Sequence, residues 1–424
     1  MDLPPPSKAF RKRRPKAKSP RPLPRRPLRR RPRRNWKLDR IPLDANAGWP
    51  LREEVLETFA RVSHDAPGNP SSVHRAGRHA QAALEQAREE VAAILKTSAR
   101  NILFTSGATE ANNLAILGLA HAFHRVTGER IPLFASKAEH PAALAPLRLL
   151  QQEGFPLHLV EVGAHASLDT SAFLKAREAS TASFTVVQWA NNETGAVQDI
   201  ATLAAATDQD HLWHCDAVQG FGKLPLDSSL WRATTLSLSG HKFGAPKGVG
   251  VLRLQDDAML DPIQVGGGQQ RSLRSGTESP ALAAAFAHAL SLAVDEQESK
   301  ARLWLETKQA FLSQWAQMGI DSKWNHPQDD RCLPNTLNLH FPGIDGRLLV
   351  PACDADGLEI SAGSACSSGA ALPSPVLVAS GLAPEEARAS IRISFGPNST
   401  PESAKEAANR LGQVAARLYE VAKR

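Results

Sequence analysis

The sequence predicts an α/β fold: a mostly parallel sheet with helices on both faces, followed by a smaller α+β domain. Three observations predict it. Short apolar runs of strand character alternate with segments of helical periodicity from about residue 50. Most of these runs end in polar or ionisable residues, as strands do when they open onto a ligand crevice. After about residue 297 the alternation changes to one long helical pattern and further strands.

The elements follow in chain order. Residues 1–37, including RKRRPKAKSPRPLPRRPLRRRPRRNWK, are rich in Arg and Pro. Proline removes backbone donors, and like charges repel, so a disordered tail over 1–40 is expected. No apolar signal-peptide core follows it, so no secretory signal is expected. REEVLETFARV and HRAGRHAQAALEQAREEVAAIL are helical in period. NILFTSG predicts a strand ending in a turn, and TEANNLAILGLAHAF the helix after it. PLFASKAEH, FTVVQWANNETG, HLWHCDAVQ and TTLSLSGHK each predict a buried strand running into polar residues. PAALAPLRLLQQEG and DIATLAAATDQ are helices between them, and GVGVLRL is one more strand. ESKARLWLETKQAFLSQWAQMG is the long helix that leads to the strands TLNLHF, GLEISAG and SIRISFG.

Composition narrows the class. The apolar fraction of 42% suits a globular protein. No apolar run reaches the length of a membrane span, so no membrane association is expected. The net charge of +7 is an average over two unlike parts. Residues 1–40 hold 17 of the 50 Lys and Arg but two of the 43 Asp and Glu, so they carry +15 and residues 41–424 carry −8. Nucleic acid is therefore a candidate partner only through the tail, and the simpler expectation there is a solvated extension. Four cysteines (Cys215, Cys332, Cys353, Cys366) lack CxxC spacing. That excludes a zinc ribbon or disulfide scaffold, predicts no metal, and suits the reducing cytoplasm.

The strand ends collect chemistry. They carry Thr109 in TSGATE, His140 in EHPA, Asn192 in NNETG, Asp216 and Gln219 in DAVQ, and Ser239, His241 and Lys242 in SGHK. One polar strand end means little; five in series, with an acid, two histidines and a lysine, predict a site. SGATEANN is a turn opening a helix, whose free N–H groups suit a phosphate, although N-capping by Ser106 or Thr109 would explain it too. A partly desolvated lysine suits a Schiff base. An aldehyde cofactor with a phosphate handle is pyridoxal 5'-phosphate, whose ring nitrogen needs a carboxylate such as Asp216. His140 is positioned in sequence to stack on the ring.

These residues carry a family resemblance. GNPSSVHRAG, TSGATEANN, EHPA, NNETGAVQDI, DAVQGFGKLPLD, SGHKFGAPKGVG, GGGQQRSLRSGTES, SAGSACSSG and IRISFG occur in the order seen in cysteine desulfurases of the NifS/IscS type. The resemblance spans roughly residues 41–424. It implies a fold-type I pyridoxal-phosphate enzyme with a seven-stranded sheet. The large cofactor domain would be 54–296, and the small domain 41–53 with 297–424, carrying the cysteine loop. By resemblance, Lys242 is the Schiff-base lysine and proton shuttle, Asp216 the ring-nitrogen partner and His140 the stacking residue. Asn192 and Gln219 would bond the ring oxygen. Ala108, Thr109, Ser239 and His241 would hold the phosphate. Thr277 resembles a threonine that reaches the phosphate of the neighbouring subunit, which implies a homodimer with shared sites. Arg392 resembles the clamp on the substrate carboxylate, with Asn192 beside it.

Cys366 decides the reaction. GSACSSG is small-residue sequence in which a thiol can be exposed, and a thiolate is the nucleophile of sulfur chemistry. The resemblance implies that L-cysteine becomes L-alanine, that Cys366 keeps the sulfur as a persulfide, and that an acceptor such as an iron–sulfur scaffold or tRNA-thiolation protein receives it. Cys215 is expected to be structural. Selenocysteine lyases and class V aminotransferases share the fold, which by itself does not separate them. Two departures stand out. PLDANAGWP has Ala45, Gly48 and Trp49 where a Tyr and a Thr pair are common, which bears on substrate preference. Gln270 stands where a glutamate is common.

Overall fold

A computed structural model describes residues 40–344, 346–362 and 372–422. The basic tail predicted over 1–40 lies outside them except for Arg40, and Cys366 lies outside them too.

Strand-forming runs that are apolar on both faces need cover on both faces, and here helices supply it. The central sheet has seven strands in the spatial order Ile102–Thr105, Gly250–Leu254, Thr235–Ser239, His211–Asp216, Ser183–Gln188, Leu133–Ser136 and Leu157–Val160. The last five pair in parallel, and Gly250–Leu254 runs antiparallel to both its neighbours. The α/β class with a mostly parallel seven-stranded sheet is therefore observed. Helices Ala108–Thr127, Pro141–Gln152, Thr170–Arg177 and Ile200–Ala205 connect successive strands, so the parallel strands end on the same edge. Leu157–Val160 has no counterpart among the sequence-predicted strands. It is the half-exposed edge strand, so it lacks the buried apolar run that marks the others.

The C-terminal part differs from the sequence expectation in one strand. Thr336–His340 and Ser390–Ser394 pair antiparallel, with Lys323–Trp324 on the outer side. GLEISAG, however, gives only the strand Leu358–Glu359, which pairs with Ile41–Pro42; it meets the Ser390–Ser394 strand only through an isolated antiparallel bridge between Ser361 and Arg392. The 40–50 segment thus pairs first with this two-residue strand. It then runs along Ser390–Ser394, where Ala45 donates to the Ser394 carbonyl at 3.1 Å and Ser394 to the Leu43 carbonyl at 2.7 Å. That path delivers Asn46 and Ala47 to the edge where the parallel strands end.

Gln270 finds its reason here. Ile102–Thr105 is the other edge strand of the sheet. The Gln270 carboxamide accepts from the Phe104 N–H at 2.7 Å and donates to the Phe104 carbonyl at 2.8 Å, as a neighbouring strand would. A carboxylate could make the first bond but not the second. Gly250 allows another close approach: a Cβ there would lie 2.7 Å from the Gly107 backbone. The turn at Gly107, with φ of 152°, therefore packs directly on the sheet.

Candidate active site

The parallel strand ends and the 40–50 segment enclose a cavity of about 570 Å³. Along it lie Ala108 and Thr109, His140, Asn192, Asp216 with Gln219, Ser239 with His241 and Lys242, and Arg392. Thr277 is exposed and is not among the lining residues of this chain. Asn46 and Ala47 line the cavity, but Ala45, Gly48 and Trp49 do not. Trp49 instead packs edge-on against the buried Trp304, with centroids 5.6 Å apart, and its main-chain N–H donates to the His241 carbonyl at 2.8 Å.

At one end, the helix Ala108–Thr127 begins with Gly107 at its N-cap and no side chain capping it. Its first N–H groups and the positive end of the helix dipole are available to an anion. Ser239 Oγ and His241 Nδ1 are 2.9 Å apart beside it. Burial, with Lys242 and Lys247 nearby, pushes His241 down to about 4, so it is a neutral imidazole. Glu110, in the first turn, is tied to Arg274 at 2.7 Å.

Deeper in, Asp216 is buried at the end of its strand. Its Oδ2 accepts from Asn112 Nδ2 at 2.7 Å and its Oδ1 from the Val218 N–H at 3.1 Å. Because Asn112 gives its Nδ2 to Asp216, its Oδ1 faces His214 Nε2 at 3.1 Å, so that nitrogen carries the proton. The His214 Nδ1 then accepts from the Thr235 hydroxyl at 2.9 Å. Burial pushes His214 down to about 4 and keeps it neutral. His140 caps the next helix, its Nδ1 accepting from the Ala142 N–H at 3.1 Å. Burial lowers its pKa, while the Asp216 charge opposes and the Lys242 charge reinforces that shift. Glu139, fully buried beside it, is raised to about 8 by burial, although Ser136 and the Gln188 N–H donate to its two oxygens.

At the other end, Lys242 is half-buried, and its Nζ donates to the main-chain carbonyls of Asn46 at 2.6 Å and Ala47 at 3.1 Å. Arg392 is almost fully buried, pairs with Asp44, and donates to the Asn192 carbonyl at 3.0 Å. Among the described residues, its Nε is buried without a hydrogen-bond partner. Sequence reasoning missed three supporting residues: Asn46, Asn112 and Lys223. Asn112 had a signal, since it is a polar residue one helical turn after Ala108, in line with the buried Ala115 and Leu119. Cys215, Cys332 and Cys353 are buried thiols whose pKa burial raises, Cys353 to about 12.

The residues fit pyridoxal phosphate: an uncapped helix start for the phosphate, a held carboxylate for the ring nitrogen, and an amine on the same cavity. Comparison with known proteins identifies the family. The model of the aminotransferase class-V family matches residues 41–406. A cysteine desulfurase IscS of Dictyoglomus turgidum is 36% identical over 363 residues, which is 85% of this chain and 91% of that protein. Among solved structures, a NifS-like protein superposes with a TM-score of 0.81 at 29% identity, covering 89% of this chain and 100% of that one. A structure described as SspA in complex with cysteine gives 0.70 at 31% identity, covering 84% and 98%. No helix among the described residues is long and apolar enough to cross a membrane. Matched along nearly its whole described length and carrying the lysine, carboxylate and arginine in one cavity, the chain belongs to the class-V aminotransferase family, among its cysteine desulfurases of the IscS/NifS type.

Proposed function

We propose that this chain uses pyridoxal phosphate to convert L-cysteine to L-alanine, leaving the sulfur on Cys366 as a persulfide. The observation that carries the reading is the meeting of Lys242, Asp216, His140 and Arg392 in one cavity beside an uncapped helix start.

Bound there, the cofactor supplies an electron sink for the substrate Cα. Ala108, Thr109, Ser239 and His241 hold its phosphate, Asp216 keeps a negative charge at its ring nitrogen, and His140 covers its face. Asn192 and Gln219 face its ring oxygen. Arg392, whose planar guanidinium lies on the cavity wall, binds the carboxylate of L-cysteine. Lys242, released from its main-chain carbonyls, takes the Cα proton and returns it. The Cys366 thiolate attacks the substrate sulfur; the Cβ–S bond breaks, its electron pair stays on carbon, and that carbon gains a proton. The balance is L-cysteine plus one thiol giving L-alanine plus one persulfide.

Thr277, exposed and outside its own cavity, serves the phosphate of a second copy, so the working form is a homodimer with shared sites. The persulfide passes to an acceptor protein, such as an iron–sulfur scaffold, in the cytoplasm. Residues 54–296 act as the cofactor domain, and 41–53 with 297–424 as the smaller domain. The test is incubation with L-cysteine, followed by assay for alanine and a one-sulfur mass gain on the Cys366 peptide. Cys366→Ser is expected to retain cofactor and lose the persulfide. Unchanged sulfide release by that variant would favour an aminotransferase-like or lyase reaction instead.

A further inference from the structure

A second lysine lies beneath the cavity. Lys223, in DAVQGFGK, is 1% exposed. Its Nζ donates to Asn46 Oδ1 at 3.0 Å and to Gln219 Oε1. Burial, with the Lys242 and Arg392 charges nearby, pushes its pKa well below the ordinary lysine value. Burying an amine costs free energy unless its donors are used, so its place needs a reason.

The reason lies in the two amides it touches. A side-chain amide has one accepting end and one donating end, and neighbours decide which way it faces. Lys223 takes the Oε1 of Gln219. The Nε2 of Gln219 therefore turns to the Asn46 main-chain carbonyl, which only accepts, at 3.0 Å. Asn46 is fixed the same way. Its Oδ1 accepts from Lys223 and from Asn335 Nδ2 at 3.2 Å. Its Nδ2 donates to Thr336 Oγ1 at 2.9 Å and to the Asn192 carbonyl at 3.2 Å. The Asn46 carbonyl that receives Gln219 also receives Lys242 at 2.6 Å. Gln219 lines the cavity and spends one of its two Nε2 protons on Asn46, so the other is left for the cavity's occupant.

We propose that Lys223 is a positioning residue: by holding Gln219 Oε1 and Asn46 Oδ1, it fixes Gln219 as a hydrogen-bond donor to the occupant of the cavity. It touches neither substrate nor cofactor and acts through Gln219. The inference rests on the reading of that occupant as pyridoxal phosphate.

The experiment measures the affinity of the full-length protein for pyridoxal phosphate, and the wavelength and pH midpoint of the visible band of the bound cofactor. Wild type, Lys223→Met, Gln219→Leu and the double variant are compared. Losing one hydrogen bond to the cofactor is expected to weaken affinity by about 5–10-fold in each single variant and to move the band's pH midpoint in the same direction in both. In the double variant the loss should be no larger than in Gln219→Leu alone, because both changes remove the same bond. A Lys223→Met protein with wild-type affinity and midpoint, or effects that multiply in the double variant, would overturn the proposal. If Lys223→Met does not fold, Gln219→Glu tests it from the other side. Its carboxylate still accepts from Lys223 but has no N–H to give, so a wild-type band there overturns the proposal too. A wild-type protein with no visible band dependent on Lys242 would sink the cofactor reading itself, and this inference with it; a normal wild type with indifferent variants sinks only the inference.

Discussion

The two ends of the chain of polar contacts under the cavity are built differently. Asp216 is held by Asn112 and the Val218 N–H, and Asn112, His214 and Thr235 form one buried line behind it in which each proton has an assigned place. Around Lys242 and Arg392 the contacts can be exchanged. The Lys242 amine donates to two main-chain carbonyls at a half-buried position, and the Arg392 guanidinium on the cavity wall pairs with Asp44 and the Asn192 carbonyl. The difference teaches which groups the chemistry moves. A carboxylate that must stay charged opposite a ring nitrogen gains from a rigid, saturated setting. An amine that must leave one bond and form another gains from partners that cost little to give up.

The sharpest way to break the comparison is to remove the movable group. Lys242→Ala is expected to abolish the visible band formed with pyridoxal phosphate and to lower alanine formation by at least about 10³-fold, since proton transfer by a placed group is worth about 10²–10⁴. Spectra and alanine assays on the same preparation check it. Retention of a Lys242-independent band would mean the amine has another role.

The rigid side responds to acid rather than to exchange. His214 is held neutral at about 4, against 6.5 for a free imidazole. Its folded pKa is depressed, so below about 6.5 the unfolded chain takes up the proton first. Stability should fall as pH drops from 6.5 to 4, by roughly 3 kcal/mol from this residue alone, and be unaffected by it at higher pH. Urea unfolding across that range measures the slope. His214→Asn should flatten it. A slope unchanged in the variant would show that His214 is not the group responsible.

How much of this was legible in the sequence follows the same division. Residues that meet a ligand sit at strand ends, where a polar residue interrupts an apolar run. Asp216 after HLWHC and Lys242 after TLSLSGH were therefore visible. Residues that support them look ordinary. Asn112 sits inside a helix, Lys223 in a turn, and Asn46 in a segment whose path depends on pairing with Ser390–Ser394, more than 300 residues away. Periodicity carries no information about such long-range pairing. Leu157–Val160 was missed for a related reason, because an edge strand needs no continuous apolar face. Gln270 was visible as an oddity, but its meaning required knowing that Phe104 lies on the open edge of the sheet.

That explanation gives a test of intermediate size. Gln270→Glu keeps the shape but leaves the buried Phe104 carbonyl facing a carboxylate oxygen instead of a donor. Although Arg88 Nη1, 3.3 Å from Gln270 Oε1, would partly offset the new charge, the change should cost about 1–3 kcal/mol of stability. Denaturant unfolding measures it. A neutral result would mean that the edge strand does not need Gln270 as its second partner.

The smallest effect is expected at Gly48, in the 43–50 segment. A Cβ on Gly48 would lie 3.1 Å from His241 Cδ2, a contact tight enough to push the imidazole by a few tenths of an ångström. His241 is held on its other side by Ser239 at 2.9 Å, so the push is transmitted to the phosphate end and not to the cavity wall beside Lys242. Gly48→Thr should therefore cost about 1 kcal/mol of stability at most and weaken pyridoxal phosphate binding by a few-fold, leaving the KM for L-cysteine unchanged. Titration of the apoprotein with cofactor and steady-state kinetics at saturating cofactor separate the two. A change in KM without a change in cofactor affinity would place Gly48 on the substrate path, and the segment would then bear on substrate choice rather than on how the phosphate end is packed.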